Sequence, residues 1–234
     1  MTLEYLGRLV VDLNADDGAP AAAFGVMVRT PKFKARKFYP RGDRLYMGPL
    51  VEGSEPQIDN AENLFYNTML TRDGVLIVTN GQHTDARFYS GKHEKVNFED
   101  TFMPKFPLDT SELIMQIWGY EQDPMNTPRI ALVSYPNFRR TSLFAIANKH
   151  NGGTASGAIV HSAGNVPRGL STYKIVDGKA VARSIANSGE IHYNLVDVPI
   201  SGNTAQDLAD SFFNEMHPDL VVASAGAVFR DSIW

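Results

Sequence analysis

The chain has no cysteine among its 234 residues, which excludes disulfides, thiolate metal sites and cysteine nucleophiles. It has no apolar run near the roughly 20 residues that a membrane-spanning helix needs, so no membrane partner is expected. No P-loop is present and no Gly-x-Gly-x-x-Gly follows a strand pattern, which removes two familiar phosphate cradles. Internal repeats and low-complexity tracts are also missing. An excess of positive charge is lacking too: the net charge is -4 and the pI about 5.9, which argues against a nucleic-acid partner. The histidines at 83, 93, 150, 161, 192 and 217 never take the spacing of a His-Glu-x-x-His helix, so metal ligation has no support and structural or surface roles are their plain reading. The opening Met-Thr-Leu-Glu-Tyr-Leu-Gly-Arg carries an acid where a signal peptide wants bases, and a cytoplasmic setting is expected.

What is present is ordinary globular material, 43% hydrophobic and 21% charged, long enough to bury a substantial core. One domain over residues 1–234 is expected. Residues 3–13 and 21–30 read as strands around a turn cluster, an N-terminal hairpin with Arg29 near the end of its second strand. Residues 32–44 interleave six cations with Phe33, Phe38 and Tyr39. That pattern reads as a solvated strand edge, one or two of whose cations could face an anionic ligand. Residues 45–51 read as a strand, and residues 63–72 and 75–79 flank Asp73-Gly74, a strong hairpin signal. Further strands are expected at 129–135, 141–148, 158–162, 171–176, 181–185, 190–198 and 220–228. Helices are expected near 86–93 and 111–119, and over 203–216, where Leu208, Phe212 and Met216 share one face. About ten strands, mostly in hairpins, and about three helices make an α+β protein of antiparallel sheets.

Two polar stretches stand out. Tyr120 to Arg129 links a helical pattern to a strand, and Pro124 and Pro128 bias Asp123 and Thr127 away from helical dihedrals. Such a stiff loop suits a reactive site, though its plainer reading is a solvated connection with an Asn-Thr-Pro turn. Asn80 to Asp85 follows a strand with Asn-Gly and then Thr and Asp, an arrangement that presents several backbone N–H groups to an anion. It reads equally as an Asn-Gly turn with Asp85 as a helix cap.

Four separated pieces together resemble the archaeal-type IMP cyclohydrolases, in the same order: Tyr5-Leu-Gly-Arg8, Phe65-Tyr66-Asn67, Thr79-Asn-Gly-Gln-His-Thr-Asp85 and Tyr120-Glu-Gln-Asp-Pro-Met-Asn-Thr-Pro-Arg-Ile-Ala131. The motifs span roughly residues 5 to 148, and none is matched beyond. The resemblance implies a four-layered αββα sandwich like that of the N-terminal nucleophile hydrolases, and a homo-oligomer. It implies closure of the second purine ring, from 5-formamidoimidazole-4-carboxamide ribonucleotide to IMP with loss of water, with no metal or organic cofactor.

That reaction needs a base for the carboxamide proton, a stabiliser for charge on the formyl oxygen, and an acid for its departure as water. A single carboxyl can take the proton and return it, and positioned transfer of this kind is worth roughly 100-fold to 10,000-fold. By resemblance the carboxyl is Glu121 and the electrostatic group Arg29, which stays protonated and cannot serve as the acid. Asn80, Gly81, Thr84, Asn126, Thr127 and Arg129 are candidates for gripping carboxamide, ribose and phosphate, with Tyr66 close to the base and Arg8 a further phosphate candidate. Asp123 reads as a turn acid. Two rivals remain: an amidohydrolase using Thr2 as N-terminal nucleophile after removal of Met1, and a non-catalytic purine-nucleotide-binding protein.

Overall fold

The computed structural model describes residues 3–52, 64–72, 74–81, 84, 126–136, 141–150, 153–162, 167–176, 179–182 and 195–234. Glu121, Asp123 and Thr2 lie outside them, as do the helices expected near 86–93 and 111–119. Strands β1 (Arg8–Asn14) and β2 (Pro20–Met27) form the expected N-terminal hairpin. Strands β3 (Arg36–Arg41), β4 (Arg44–Pro49), β5 (Tyr66–Arg72), β6 (Val75–Thr79), β7 (Arg129–Tyr135), β8 (Thr141–His150) and β9 (Gly153–Ser162) pair in sequence order as a seven-stranded meander. The basic segment is indeed an edge, since β3 ends this sheet. Strands β10 (Arg168–Ser171), β13 (Leu195–Asp197) and β14 (Val221–Val228) join the hairpin in a second sheet ordered β13-β10-β1-β2-β14. Strands β11 (Tyr173–Val176) and β12 (Lys179–Ala182) pair with each other, and every pairing is antiparallel.

The described residues thus hold fourteen strands rather than about ten. One reason is Thr172, which splits the strand expected over 171–176. Its hydroxyl donates to Leu6 O at 3.1 Å and accepts from Arg8 N at 3.0 Å, so β10 stays with β1 while β11 leaves to meet β12. The first strand starts five residues later than expected because Gly7, at φ 73, bends the chain through a conformation that favours glycine.

The two large sheets pack face to face. From the five-stranded sheet Val10, Ala22, Phe24, Val26, Leu170 and Ala225 point inward; from the meander Met47, Met69, Leu76, Val78, Ile130, Leu132, Phe144 and Ile146 meet them, all buried. Alternate residues Leu9, Val11, Leu13, Ala23 and Met27 face the other way and pack with Leu208, Phe212 and Met216. Leu208 and Phe212 belong to helix α1 (Ala205–Glu215), with Met216 its C-cap, and the helix starts at a capping box: Thr204 Oγ1 accepts from Asp207 N, and the Asp207 carboxylate accepts from Thr204 N. Burying Leu208 and Phe212 contributes roughly 1.5–3 kcal/mol each, and the small residue Gly226 permits the approach, because a Cβ there would lie 2.3 Å from Ala205 O.

The meander is covered on both faces at its centre. Ala131, Val133, Tyr135, Leu143, Ala145 and Ala147 point away from the shared core yet are buried. Burial pushes the Tyr135 hydroxyl up to about 12, as a dry surface requires. The architecture is therefore sheet-rich α+β, two stacked antiparallel sheets with a helix outside one of them.

One polar cluster sits inside the sandwich. Ser142 Oγ lies 2.8 Å from Asp12 Oδ1 and 3.2 Å from Ser134 Oγ, linking β1 to β7 and β8 across the core. Burial raises the Asp12 carboxyl to about 7, and the Ser142 hydrogen bond offsets this only in part. The folded state therefore holds a proton that the unfolded chain releases from about pH 4 upward. Asp12 makes stability fall as pH rises from about 4 to about 7, by at most about 1.4 kcal/mol per pH unit. Urea denaturation from pH 4 to 8 is expected to show Asp12→Asn lacking this component, its midpoint gaining on the wild type as pH rises through that window and holding its lead above it. Parallel pH profiles for the two proteins would rule the account out.

Candidate functional site

Contacts at both ends set the sheets in register. At one end Trp234 Nε1 donates to Gly74 O at 2.9 Å, joining the segment after β14 to the β5–β6 turn. At the other, Lys34 Nζ donates to Asp219 O, joining the start of β3 to the start of β14. The strands of the two sheets therefore run roughly in line, as aligned sandwiches do. It follows that the starts of β1, β5 and β7, and the ends of β2, β6, β8 and β10, all lie at the second end. Arg8, Arg29, Tyr66, Asn80, Gly81, Thr84, Asn126, Thr127 and Arg129 are on those strand ends or within a few residues of them. Candidates spread over more than a hundred positions of sequence are gathered at one end of the sandwich.

They do not all face the same way. Arg8 shares the inward face of β1 with Val10 and Asp12 and is half-buried. Tyr66 reaches that face through a β-bulge. Leu45 pairs with Met69 but Tyr46 with Asn67, so Thr68 is the extra residue on β5, its hydroxyl bonded to Leu45 O at 3.1 Å. The bulge resets the alternation and puts Tyr66 opposite the inward Met47. Tyr66 is 2% exposed and its hydroxyl is buried with no hydrogen-bond partner among the described residues. Arg129, by contrast, leaves β7 on the outer face with Ala131 and Val133, and the sheet stands between it and Arg8.

Asn80 fastens the two most specific sequence motifs together. Its Nδ2 donates to Pro128 O at 2.9 Å, its Oδ1 accepts from Ile130 N at 2.8 Å, and its own N–H donates to Ile130 O at 3.3 Å. The side chain extends the β6–β7 ladder by one rung. The following turn closes on itself: Thr84 N donates to Gly81 O at 3.2 Å, and the Thr79 and Thr84 hydroxyls touch. Two of the backbone N–H groups that the Asn-Gly turn was expected to offer an anion, those of Asn80 and Thr84, are thus used internally. Asn126 takes φ 48, a left-handed bend that asparagine tolerates, and leads into buried Thr127.

Arg29 is a correction of position. β2 ends at Met27, so Arg29 stands two residues past the strand rather than on it. It is exposed, with its guanidinium carbon 4.2 Å from the centroid of the Tyr5 ring. Glu121, its expected partner, lies outside the described residues.

Two residues at this end were not singled out from sequence. Arg36 is 3% exposed and donates from Nε to Phe33 O at 2.7 Å and from Nη1 to Leu64 O at 3.2 Å. Six cations in one short segment gave no sign that this one is buried. Asn148 is 1% exposed, on the inward face of β8 after Phe144 and Ile146, with Oδ1 buried and unpartnered among the described residues. The other end of the sandwich holds an open groove of about 520 Å³, lined among others by Arg44, Leu45, Thr204, Val228 and Trp234 and by none of the candidates.

A family model described as "IMP cyclohydrolase-like protein" matches residues 5–232 of the chain. The match runs far beyond residue 148, where the recognisable motifs stop. The chain is similar to a protein of Methanocaldococcus jannaschii named "IMP cyclohydrolase", 27% identical over 231 residues that cover 98% of this chain and 96% of that one. It is also similar to a protein of the same name from Methanosphaera stadtmanae, 32% identical over 127 residues, 54% of this chain and 55% of that one.

Removing the Asn80 side chain would break its hydrogen bonds to Ile130 N and Pro128 O, both buried, at about 1–3 kcal/mol each. Asn80→Ala is expected to lower unfolding free energy by about 2–4 kcal/mol in chemical denaturation. A loss below about 0.5 kcal/mol would show that the fastening is dispensable.

Proposed function

Because the chain belongs to the IMP cyclohydrolase-like family, matched from residue 5 to 232, we propose that it is an IMP cyclohydrolase, closing 5-formamidoimidazole-4-carboxamide ribonucleotide to IMP. The observation that carries this is the family match over nearly the whole chain, and the gathering of the motif residues at one end of the sandwich supports it.

The nucleotide lies over that end. Its carboxamide nitrogen attacks the formyl carbon and loses a proton as the new C–N bond forms. The formyl oxygen takes up that proton to become a hydroxyl, and then leaves as water with a second proton, the one the formamido nitrogen gives up as its C=N bond forms. Glu121 takes the proton and returns it to the departing oxygen. It stands five positions before Asn126 in the chain. Arg29 stabilises charge growing on the formyl oxygen, and its stacking on Tyr5 holds the guanidinium at the margin where the nucleotide sits. Attacking and attacked groups belong to one molecule, so holding the right rotamer removes much of the barrier. Tyr66 lies against the base and Arg8 takes the phosphate. Gly81, Thr84, Asn126, Thr127 and Arg129 shape or grip from the loops, and Asn80 acts through the loops it joins.

The proposal extends to the architecture. The dry outer face of the meander supports a fourth layer over it, which with α1 and the two sheets gives the αββα order of the N-terminal nucleophile hydrolases. The chain would act as one domain over residues 1–234, in a cytoplasmic homo-oligomer.

Purified protein is expected to convert the formamido precursor to IMP at neutral pH without added metal, followed by ultraviolet absorbance. IMP binding without turnover would point instead to a nucleotide-binding protein. Glu121→Gln, nearly isosteric but unable to accept the proton, is expected to lose at least about 100-fold in kcat while IMP affinity changes little; a variant keeping most of its activity would remove Glu121 from the role of base. Arg29→Lys keeps the charge and loses the planar fork, and is expected to retain about a tenth of the wild-type rate. Full activity there would exclude an electrostatic role for Arg29.

A further inference from the structure

A buried polar group without a partner costs stability, so the few that persist call for an explanation. Asn148 and Tyr66 are two such groups, 1% and 2% exposed, on the inward face of the meander at the end where β8 finishes and β5 starts. Their strands are separated by β6 and β7, about 14 Å at about 4.8 Å per strand, at the end where the candidates gather. Neighbouring Asn80 shows the contrast: its side chain is held at both ends by backbone of β7 and its approach.

We infer that Asn148 is a specificity-determining residue whose side-chain oxygen accepts a hydrogen bond from the substrate's carboxamide nitrogen. The inference rests on the cyclohydrolase reading and names what that site reads. A buried neutral acceptor has nothing to gain from a phosphate, which offers no proton of its own. It needs a donor. The formamido precursor carries donors on its carboxamide nitrogen, and that nitrogen becomes N1 of the product ring, where one hydrogen remains. A single acceptor therefore serves substrate and product, and holds the nucleophilic nitrogen in place while its other proton leaves. AMP has the same ribose and phosphate but a bare lone pair at N1. Against Asn148 Oδ1 two acceptors would face each other, and AMP binds only with the amide turned to present Nδ2, which gives up the acceptor that IMP uses.

The test compares IMP and AMP affinity by calorimetry in wild type, Asn148→Leu and Asn148→Ala, together with thermal midpoints of the ligand-free proteins. Wild type should prefer IMP by at least about tenfold, one hydrogen bond's worth. Both variants should lose most of that preference by weakening IMP and not AMP. Asn148→Leu, which replaces an unsatisfied amide with an apolar side chain of similar volume, should melt at or above the wild-type temperature. Equal weakening of both nucleotides, an unchanged preference, or a lowered melting point or failure to fold in Asn148→Leu would overturn the assignment. If the wild type binds neither IMP nor the formamido precursor, the cyclohydrolase reading itself fails. IMP preference that survives both substitutions sinks Asn148 alone.

Discussion

The dry space shared by the two sheets governs what the rest of the molecule can do. Phe24, Met47, Leu132 and Phe144 fill its middle with hydrocarbon. Any polar group placed there must be matched or kept uncharged, and Asp12 obeys by carrying a raised pKa and a serine partner. Toward the end where β1 starts, the inward positions change character. Val10 gives way to Arg8, Ile146 to Asn148, Met47 pairs with Tyr66, and Phe38 is followed back along β3 by Arg36. Hydrocarbon in the middle makes the sandwich stable, and toward one end polar side chains take its place.

Much of this was legible in sequence because it depends on local rules. Asp73-Gly74 marks the β5–β6 hairpin, and Gly74 takes the positive φ of 76 that the turn requires. Alternation along β1 and β2 sorts Val10 and Phe24 from Leu9 and Met27, and the helical spacing of Leu208 and Phe212 finds α1. What was not legible depends on two chain segments at once. The bulge at Thr68 shifts β5 by one residue against β4, so a period of two puts Tyr66 on the wrong face. The break at Thr172 comes from a hydroxyl bonded to Leu6 and Arg8, 164 and more positions away. The burial of Arg36 is likewise set by Phe33 and Leu64 carbonyls rather than by anything in its own charged neighbourhood.

The candidate site was legible as a set of motifs and not as a geometry. Sequence order says nothing about which side of a sheet a residue takes, and Arg8 and Arg129 come out on opposite sides of the meander's inner face. One is between the sheets and the other beyond them. An arginine on the outer face, 9% exposed beside the small residues Ala131 and Ala147, answers to whatever packs over that face. An arginine on the inner face answers to the space between the sheets. Similar motif residues can thus act in different compartments, and only the strand register separates them.

The contrast between Asn80 and Asn148 carries the argument furthest. Both are side-chain amides at the same end of the same sheet, both essentially without solvent exposure. Asn80 sits inside a recognisable motif, which drew attention to it as a ligand contact, yet its amide is engaged with Pro128 and Ile130 backbone. Asn148 sits in no motif and ends an otherwise apolar alternation, yet its oxygen meets nothing. A motif can persist because the fold needs it. An unsatisfied buried oxygen is a standing cost to the fold, and a ligand that donates to it would offset that cost.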